Sequence, residues 1–287
     1  MSSAPTAVMT ADDIEQPMPP PESLRPWITE VGHIPDVRRE PTPFAHVPQA
    51  VTTIALRTSE SGRRDALVLG PRTRATYARA DKGAGCVRLR LAPGATRPLL
   101  GVSAAAITDR VVRLADLPGV AGELADALSE LEPDDVLPYL EETLPQRISE
   151  DPTQRAHRTL LTSAVTALTT ATAPVQQLAT TLAISERQLR NLFATGVGVS
   201  PKHYARINRV RHVIARAGYH PLTQITTATG YYDRIRDHSM ARVAADTGYY
   251  DQSHLAADFR ALMGVPPTRF FRGDFPAPTP CQSITRV

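Results

Sequence analysis

The spacing of hydrophobic and polar residues divides the chain into a strand-rich first part and a helical second part. Two short apolar runs, 51–56 and 66–69, are bounded by Gly and Pro residues and predict strands. Residues 86–91 alternate apolar and polar positions, which predicts a strand with one face in solvent. Leucines then recur at helical spacing as far as residue 144, so we predict a small α+β domain over 22–144.

The segments that flank this domain are polar and rich in proline. Residues 1–21 end in three consecutive prolines and predict a disordered tail. Residues 145–152 predict a linker, and residues 273–287 predict a second tail. Between the linker and the second tail, residues 153–272 carry helical periodicity and predict an all-α domain.

The all-α domain contains two candidate helix-turn-helix units, at 175–194 and 240–263. In such a unit a tight turn joins two short helices, and the start of the second helix enters the major groove of DNA. Ser185 stands at the cap position of the second helix of the first unit. Ser200 is followed by a proline, which predicts the start of a longer helix between the two units.

Composition narrows the class of protein. Of the 287 residues, 42% are hydrophobic and 21% are charged, which excludes full-length disorder, collagen and coiled coils. Two cysteines exclude a disulfide framework and the usual four-thiolate zinc site, and no apolar run is long enough to span a bilayer. The first residues lack the basic start and apolar core of a secretory signal, so we expect a cytoplasmic protein.

The net charge of +3 is divided unevenly along the chain. Residues 1–150 carry 16 Lys and Arg against 21 Asp and Glu, a net charge of −5. Residues 151–287 carry 16 against 8, a net charge of +8. This asymmetry is expected when one domain binds an acidic polymer, although a solvated basic face would give the same balance.

The second helix of each unit presents polar side chains that can contact DNA bases. Arginine hydrogen-bonds guanine, and glutamine or asparagine hydrogen-bonds adenine. A helical bundle with ordinary polar faces is the alternative interpretation of the same pattern. The outward residues are Arg187, Gln188, Arg190 and Asn191 in the first unit, and Gln252, Ser253, His254 and the small Ala256 in the second.

Several motifs in this region resemble the AraC/XylS family of bacterial transcription regulators. Their order and most of their spacings match across about residues 155–272. Residues 85–94 and 109–114 look like the N-terminal domain of a poorly characterised subset of the same family. The motifs of the helical region are Leu-Arg-Asn-Leu-Phe at 189–193, Gly-Val-Gly-Val-Ser-Pro at 196–201, Arg-Ile-Asn-Arg-Val-Arg at 206–211, Gly-Tyr-Tyr-Asp-Gln-Ser-His-Leu at 248–255, Phe259, and Gly-Val-Pro-Pro at 264–267.

The resemblance implies two helix-turn-helix units joined by a long helix, reading two adjacent major grooves. It implies a DNA-binding transcription regulator, with an activator favoured, whose partners are double-stranded DNA and RNA polymerase. A small-molecule effector and a homodimer are left open, and no cofactor, metal ion or membrane is expected. Base-reading roles fall on Arg187, Gln188, Arg190, Asn191, Gln252, Ser253 and Ala256, and phosphate or positioning roles fall on Lys202, Arg206, Arg209 and His254.

One departure from the family pattern is a surplus of about 18 residues before the second unit. The sequence Ala-Thr-Gly-Tyr-Tyr-Asp at 228–233 returns 18 positions later, at 246–251, as Asp-Thr-Gly-Tyr-Tyr-Asp. The earlier copy is not followed by the Leu and Phe that would bury a recognition helix. We therefore assign the second unit to the later copy and interpret the earlier one as a packed extra helix, a flexible loop or an alternative reading element.

Two other classes of function compete with the regulator. In one, the protein binds DNA and its first domain binds a protein or a second copy, without a small molecule. In the other, more distant, class the protein is an enzyme with its site in 22–144, although no nucleophile elbow or phosphate loop is recognisable there. His33, His46 and Asp36 lack the spacing of a metal site.

Overall fold

A computed structural model describes residues 9–10, 15–34, 43–58, 64–79, 85–170, 174–219 and 240–278. These residues form an N-terminal β-sheet region followed by a helical C-terminal region, which confirms the predicted fold class. The repeated segment at 228–233 lies outside the described residues.

The N-terminal region is built on two sheets. The described strands are β1 Met9–Thr10, β2 Gln16–Met18, β3 Ile28–Ile34, β4 Pro43–His46, β5 Thr53–Thr58, β6 Arg64–Leu69, β7 Thr76–Arg79, β8 Cys86–Leu91 and β9 Val111–Arg113. Six strands pair antiparallel in the order β2-β3-β8-β5-β6-β9, and three strands pair in the order β1-β4-β7. The three predicted runs all form strands, namely β5, β6 and β8.

Alternation along the central strand β8 builds the N-terminal core. Val87, Leu89 and Leu91 are buried, and they join a core with side chains from the neighbouring strands and from the short helices after the sheet. These helices are α1 Thr96–Leu100, α2 Val120–Glu123, α3 Ala125–Glu130 and α4 Val136–Arg147. Four 3-10 turns, at Glu22–Leu24, Ala104–Ile107, Leu114–Asp116 and Pro133–Asp135, complete the described part of this region.

Within the predicted disordered tail over 1–21, the described residues include two paired strands, at 9–10 and 16–18. Strand β2 pairs with β3, with Gln16 opposite His33, and the Glu15 side chain is 2% exposed. All three residues of β2 are exposed, so the strand is held by backbone pairing and the ion pairs of Glu15. A pattern of buried apolar positions could not reveal it.

The ion pairs of Glu15 with β8 also correct the prediction that this strand has one face in solvent. Arg90 is only 8% exposed, because Glu15 and Glu30 both pair with its guanidinium. Arg88 also pairs with Glu15, at 3.2 Å. The polar face of the strand is therefore covered by charged partners rather than by water.

The C-terminal region contains seven described helices. They are α5 Pro152–Thr170, α6 Val175–Thr181, α7 Glu186–Gly196, α8 Pro201–Tyr219, α9 at 240–246, α10 Gln252–Met263 and α11 Pro267–Phe270. Since α4 runs to Arg147, the linker is shorter than the predicted 145–152. The predicted tail from 273 begins in packed structure, because the Phe275 ring lies 5.0 Å from Tyr77 and 5.5 Å from Phe270.

Packing crosses the boundary between the two regions. Ala45, Val47, Ala50 and Tyr77 of the N-terminal region share one hydrophobic core with the helices of the C-terminal region. The Tyr77 hydroxyl donates to the Met263 carbonyl at 2.5 Å, and the Ala75 amide donates to the Leu262 carbonyl at 2.8 Å. The three-stranded sheet is thus anchored to the end of α10.

A second set of contacts anchors the N-terminal region to the end of α7. The Gly94 amide donates to the Gly196 carbonyl at 3.0 Å, and the Thr108 hydroxyl donates to the Gly198 carbonyl at 3.0 Å. Gly198 has a φ of +85°, and a Cβ there would lie 2.5 Å from the Thr108 hydroxyl oxygen. Glycine is required at this position by both backbone conformation and close approach.

Replacing Tyr77 with Phe should destabilise the protein by about 1–2 kcal/mol, because the Met263 carbonyl would lose its buried donor. Burial raises the pKa of the Tyr77 phenol, which keeps the hydroxyl protonated as a donor. Urea denaturation of the full chain measures the effect. Tyr250→Phe is the matched control, since Tyr250 is 94% exposed, and equal stability losses in the two variants would contradict this account.

Candidate nucleic-acid interface

The first helix-turn-helix unit consists of α6 and α7. Leu178 and Ala179 of α6 are buried, as are Leu189 and Phe193 on the inner face of α7. Between the helices, Ala183 has a φ of +53°, the left-handed conformation that reverses the chain within a tight turn. The Ser185 hydroxyl accepts a hydrogen bond from the Gln188 amide at 3.1 Å, which confirms the predicted cap of α7.

The outer face of α7 is polar and exposed. The four residues predicted to read bases, Arg187, Gln188, Arg190 and Asn191, all lie on it. The Arg190 Nε donates to the Glu186 carbonyl at 3.3 Å, a contact within the first turn of the helix. The first unit therefore presents two guanidinium groups and two amides on one surface.

The second unit consists of α9 and α10, so the later copy of the repeat forms a helix-turn-helix. Gly248, with a φ of +75°, turns the chain, and Tyr249 is buried beneath the turn. The Asp251 carboxylate accepts from the His254 amide at 2.7 Å and caps α10. Leu255, Phe259, Leu262 and Met263 are the buried apolar residues of α10.

The outer face of α10 carries fewer base-reading groups than α7. Ser253 and His254 are exposed, and Gln252 and Ala256 are partly buried. The His254 ring packs edge-on against Tyr249 with 5.3 Å between ring centroids, which fixes the imidazole beside the turn.

Arg206 and Arg209 attach the second unit to the long helix α8 through Asp258 of α10. Arg206 lies 2.9 Å from one carboxylate oxygen of Asp258, and Arg209 lies 3.5 Å from the other. Asp258 is 6% exposed. Of the roles predicted for these arginines, internal positioning is therefore the one that the contacts support, because both guanidinium groups face a protein carboxylate.

Tyr249 extends this junction into the turn of the second unit. The Arg209 guanidinium lies 5.2 Å from the centre of the Tyr249 ring, a cation–π contact. Burial raises the pKa of Tyr249 to about 12, with the nearby Asp258 carboxylate acting in the same direction. A neutral Tyr249 and a charged Arg209 thus hold the turn against α8 near neutral pH.

Two further exposed side chains lie close in sequence to α7 and α10, whose outer faces are the candidate recognition surfaces. Lys202 is exposed in the first turn of α8, as a phosphate contact requires. Tyr250 is 94% exposed in the turn directly before α10, and sequence reasoning missed it. The available signal in the sequence was the pair of consecutive tyrosines at 249 and 250. Tyr249 is buried, and its neighbour Tyr250 therefore faces outward.

The described residues contain no group of three or more His, Cys, Asp or Glu side chains that could hold a metal ion. Within the same ranges, no helix is long and apolar enough to cross a membrane. Cys86 is a partly buried thiol.

Comparisons with known proteins give limited similarity. A family model described as a domain of unknown function, DUF6597, matches residues 16–113, about a third of the chain. No curated protein matches. Among solved structures, an apo variant of ToxT from Vibrio cholerae strain SCE256 has a TM-score of 0.38 and 12% identity, covering 88% of this chain and 98% of that one. ToxT from Vibrio cholerae O395 has a TM-score of 0.38 and 10% identity, covering 91% and 98%.

Replacing Asp258 with Asn should destabilise the full chain by about 2 kcal/mol, since two arginines would lose their shared carboxylate. Because the side chains of the two arginines are partly exposed, the loss of stability should be smaller than for a fully buried ion pair. Asp246→Asn is the control, because the Asp246–Arg216 pair is exposed and should contribute less than about 1 kcal/mol. Chemical denaturation of both variants measures the difference, and an equal loss of stability would contradict a central role for Asp258.

Proposed function

We propose that this protein is a sequence-specific, DNA-binding transcription regulator of the AraC/XylS type, with an activator favoured. The observation that carries the proposal is the pairing of two capped helix-turn-helix units through one long helix, with polar outer faces on α7 and α10. The family motifs quoted from the sequence lie on these same elements. The region that contains the units also carries the net charge of +8.

The first unit supplies most of the base recognition in this proposal. Arg187 and Arg190 project from the first turns of α7, where a recognition helix meets base edges. A guanidinium can donate two hydrogen bonds to guanine, and Asn191 or Gln188 can pair with adenine in the same way. The positive end of the α7 dipole also favours the approach of phosphate.

The second unit contributes a smaller reading surface. Gln252, Ser253 and Ala256 lie on α10 and are the residues proposed to contact bases. The small Ala256 allows close approach of the helix to a thymine methyl group. Tyr250 adds an exposed ring beside the start of α10, and its hydroxyl can hydrogen-bond a phosphate.

Positioning and phosphate contacts are divided among the remaining basic residues. Lys202 is the proposed phosphate contact, while Arg206 and Arg209 hold the second unit on α8 through Asp258. His254 contributes to positioning through its contact with Tyr249. In this scheme the N-terminal region regulates the two units by its contacts with the ends of α7 and α10. The same proposal includes RNA polymerase as a partner. It also includes binding of a small-molecule effector and formation of a homodimer, the two features that the resemblance leaves open.

The full chain should bind a selected DNA site more tightly than a scrambled duplex, with affinity falling as salt rises. Each phosphate neutralised by a basic side chain contributes about −0.9 to the slope of log K against log salt. Fluorescence anisotropy with both duplexes at several salt concentrations measures this. Equal affinity for the two duplexes at every salt concentration would overturn the regulator proposal.

Arg190→Ala should cost about 1–3 kcal/mol of binding and relax the preference at one base position. Lys202→Ala should weaken binding to all DNA sequences alike. It should also reduce the magnitude of the slope of log K against log salt by about one. Affinities for a set of single-base site variants distinguish the two patterns. Gln252→Ala is the matched test of the second unit, and a larger loss of specificity there than in Arg190→Ala would reverse the assigned division of roles.

A further inference from the structure

A partly buried histidine lies where the helical region meets the N-terminal region. His203 is in the first turn of α8, and its backbone amide donates to the Ser200 hydroxyl at 3.2 Å. Its ring atom Nε2 is buried and has no hydrogen-bond partner among the described residues. The backbone of Thr73 and the carboxylate of Asp109, both in the N-terminal region, act on the ring. The imidazole is therefore held between the two regions.

The N-terminal side of this boundary is fixed by the Asp109 carboxylate. One of its oxygens accepts from the Thr73 amide at 2.7 Å, and the other accepts from the Thr73 hydroxyl at 2.6 Å. The Asp109 amide donates to the Pro71 carbonyl at 2.8 Å, and the residue has a φ of +58°, which is uncommon outside glycine. A proton on His203 would thus meet a carboxylate that Thr73 already engages.

The turn before α8 is in close contact with the same part of the N-terminal region. The Gly198 carbonyl accepts from the Thr108 hydroxyl at 3.0 Å. A Cβ at Gly198 would lie 2.8 Å from Pro71 Cγ and 3.0 Å from the Ala104 carbonyl oxygen. The two regions therefore touch directly in the turn that leads into the helix carrying His203.

The surroundings of His203 favour the neutral imidazole. Burial lowers the pKa of His203 below its ordinary value, and the Arg206 guanidinium acts in the same direction, as does Arg74 more weakly. The Thr73 backbone and the Asp109 carboxylate act in the opposite direction without reversing the shift. A proton on the ring would add a positive charge beside two arginines, and the buried Nε2 would have no acceptor.

We propose that His203 makes the contact between the N-terminal region and α8 sensitive to protons, so that the neutral imidazole keeps the contact closed and protonation loosens it. A histidine released into water has a pKa of about 6.5. The loosened form therefore takes up a proton more readily than the closed form. The closed contact is at full strength above about pH 6.5 and weakens as the pH falls below that value.

This proton sensitivity goes beyond the proposed function, since the contact forms without DNA. Its use to control DNA binding does rest on the proposed function. Measuring the contact in the absence of DNA therefore tests the proposal separately from the regulator assignment.

Hydrogen exchange of the full chain, followed by mass spectrometry at about pH 7.5 and 5.5, measures opening of the boundary. Two amides cross it, because Gly94 donates to the Gly196 carbonyl at 3.0 Å and Ala75 donates to the Leu262 carbonyl at 2.8 Å. After correction for the intrinsic effect of pH, peptides containing these amides should exchange at least about threefold faster at the lower pH. The upper limit is about tenfold, because about one pH unit below 6.5 favours the protonated form by that factor.

His203→Gln removes the titrating group and should abolish this increase. His212→Gln is the matched control, since His212 is exposed on the same helix, and it should behave as the wild type does. His203→Phe keeps a ring that cannot be protonated and serves if His203→Gln does not fold.

Three outcomes would overturn the proposal. The first is an unchanged corrected exchange rate in the wild type, and the second is an increase that persists in a folded His203 variant or disappears in His212→Gln. The third is failure of both His203 variants to fold, because the proposal requires only an uncharged side chain at this position.

Discussion

Apolar side chains from the three-stranded sheet and from the helical region fill one common core, and the positions of α7 and α10 depend on it. Ala45, Val47 and Tyr77 pack in the same cluster as Phe193 of the first unit and Phe259 of the second. Burial of this shared surface is the main favourable term that holds the regions together. Hydrogen bonds from Tyr77 and Gly94 then fix the orientation at the ends of α10 and α7.

This arrangement makes the sheet a structural component of the helical region rather than a separate module. Two helix-turn-helix units that read adjacent major grooves must stand about one turn of DNA apart, roughly 34–36 Å. The long helix α8 sets their separation, and Asp258 fixes the second unit on that helix. A shift in the sheet would reach both units through its contacts at Gly196 and Met263.

Charged residues serve different purposes in different parts of the molecule. Arg206, Arg209 and Arg90 have protein carboxylates as partners, so their charges contribute to internal structure. Arg187 and Arg190 lie on an exposed face, where the energetic cost of burying a charge does not arise. Net charge along the chain does not distinguish these two uses, because it counts paired and exposed charges alike.

The sequence by itself determined the features that depend on neighbouring residues. The helix-turn-helix units, the cap at Ser185 and the outward residues follow from local periodicity and from a hydrogen bond spanning three positions. Tertiary structure alone decided the role of β2, which buries no side chain, and the burial of Arg90 by Glu15, 75 residues away. It also decided that Arg206 and Arg209 meet Asp258, and that Tyr77 reaches Met263. Such contacts depend on how distant segments pack together, and no local pattern of polarity encodes which charged or hydroxyl group will meet which partner.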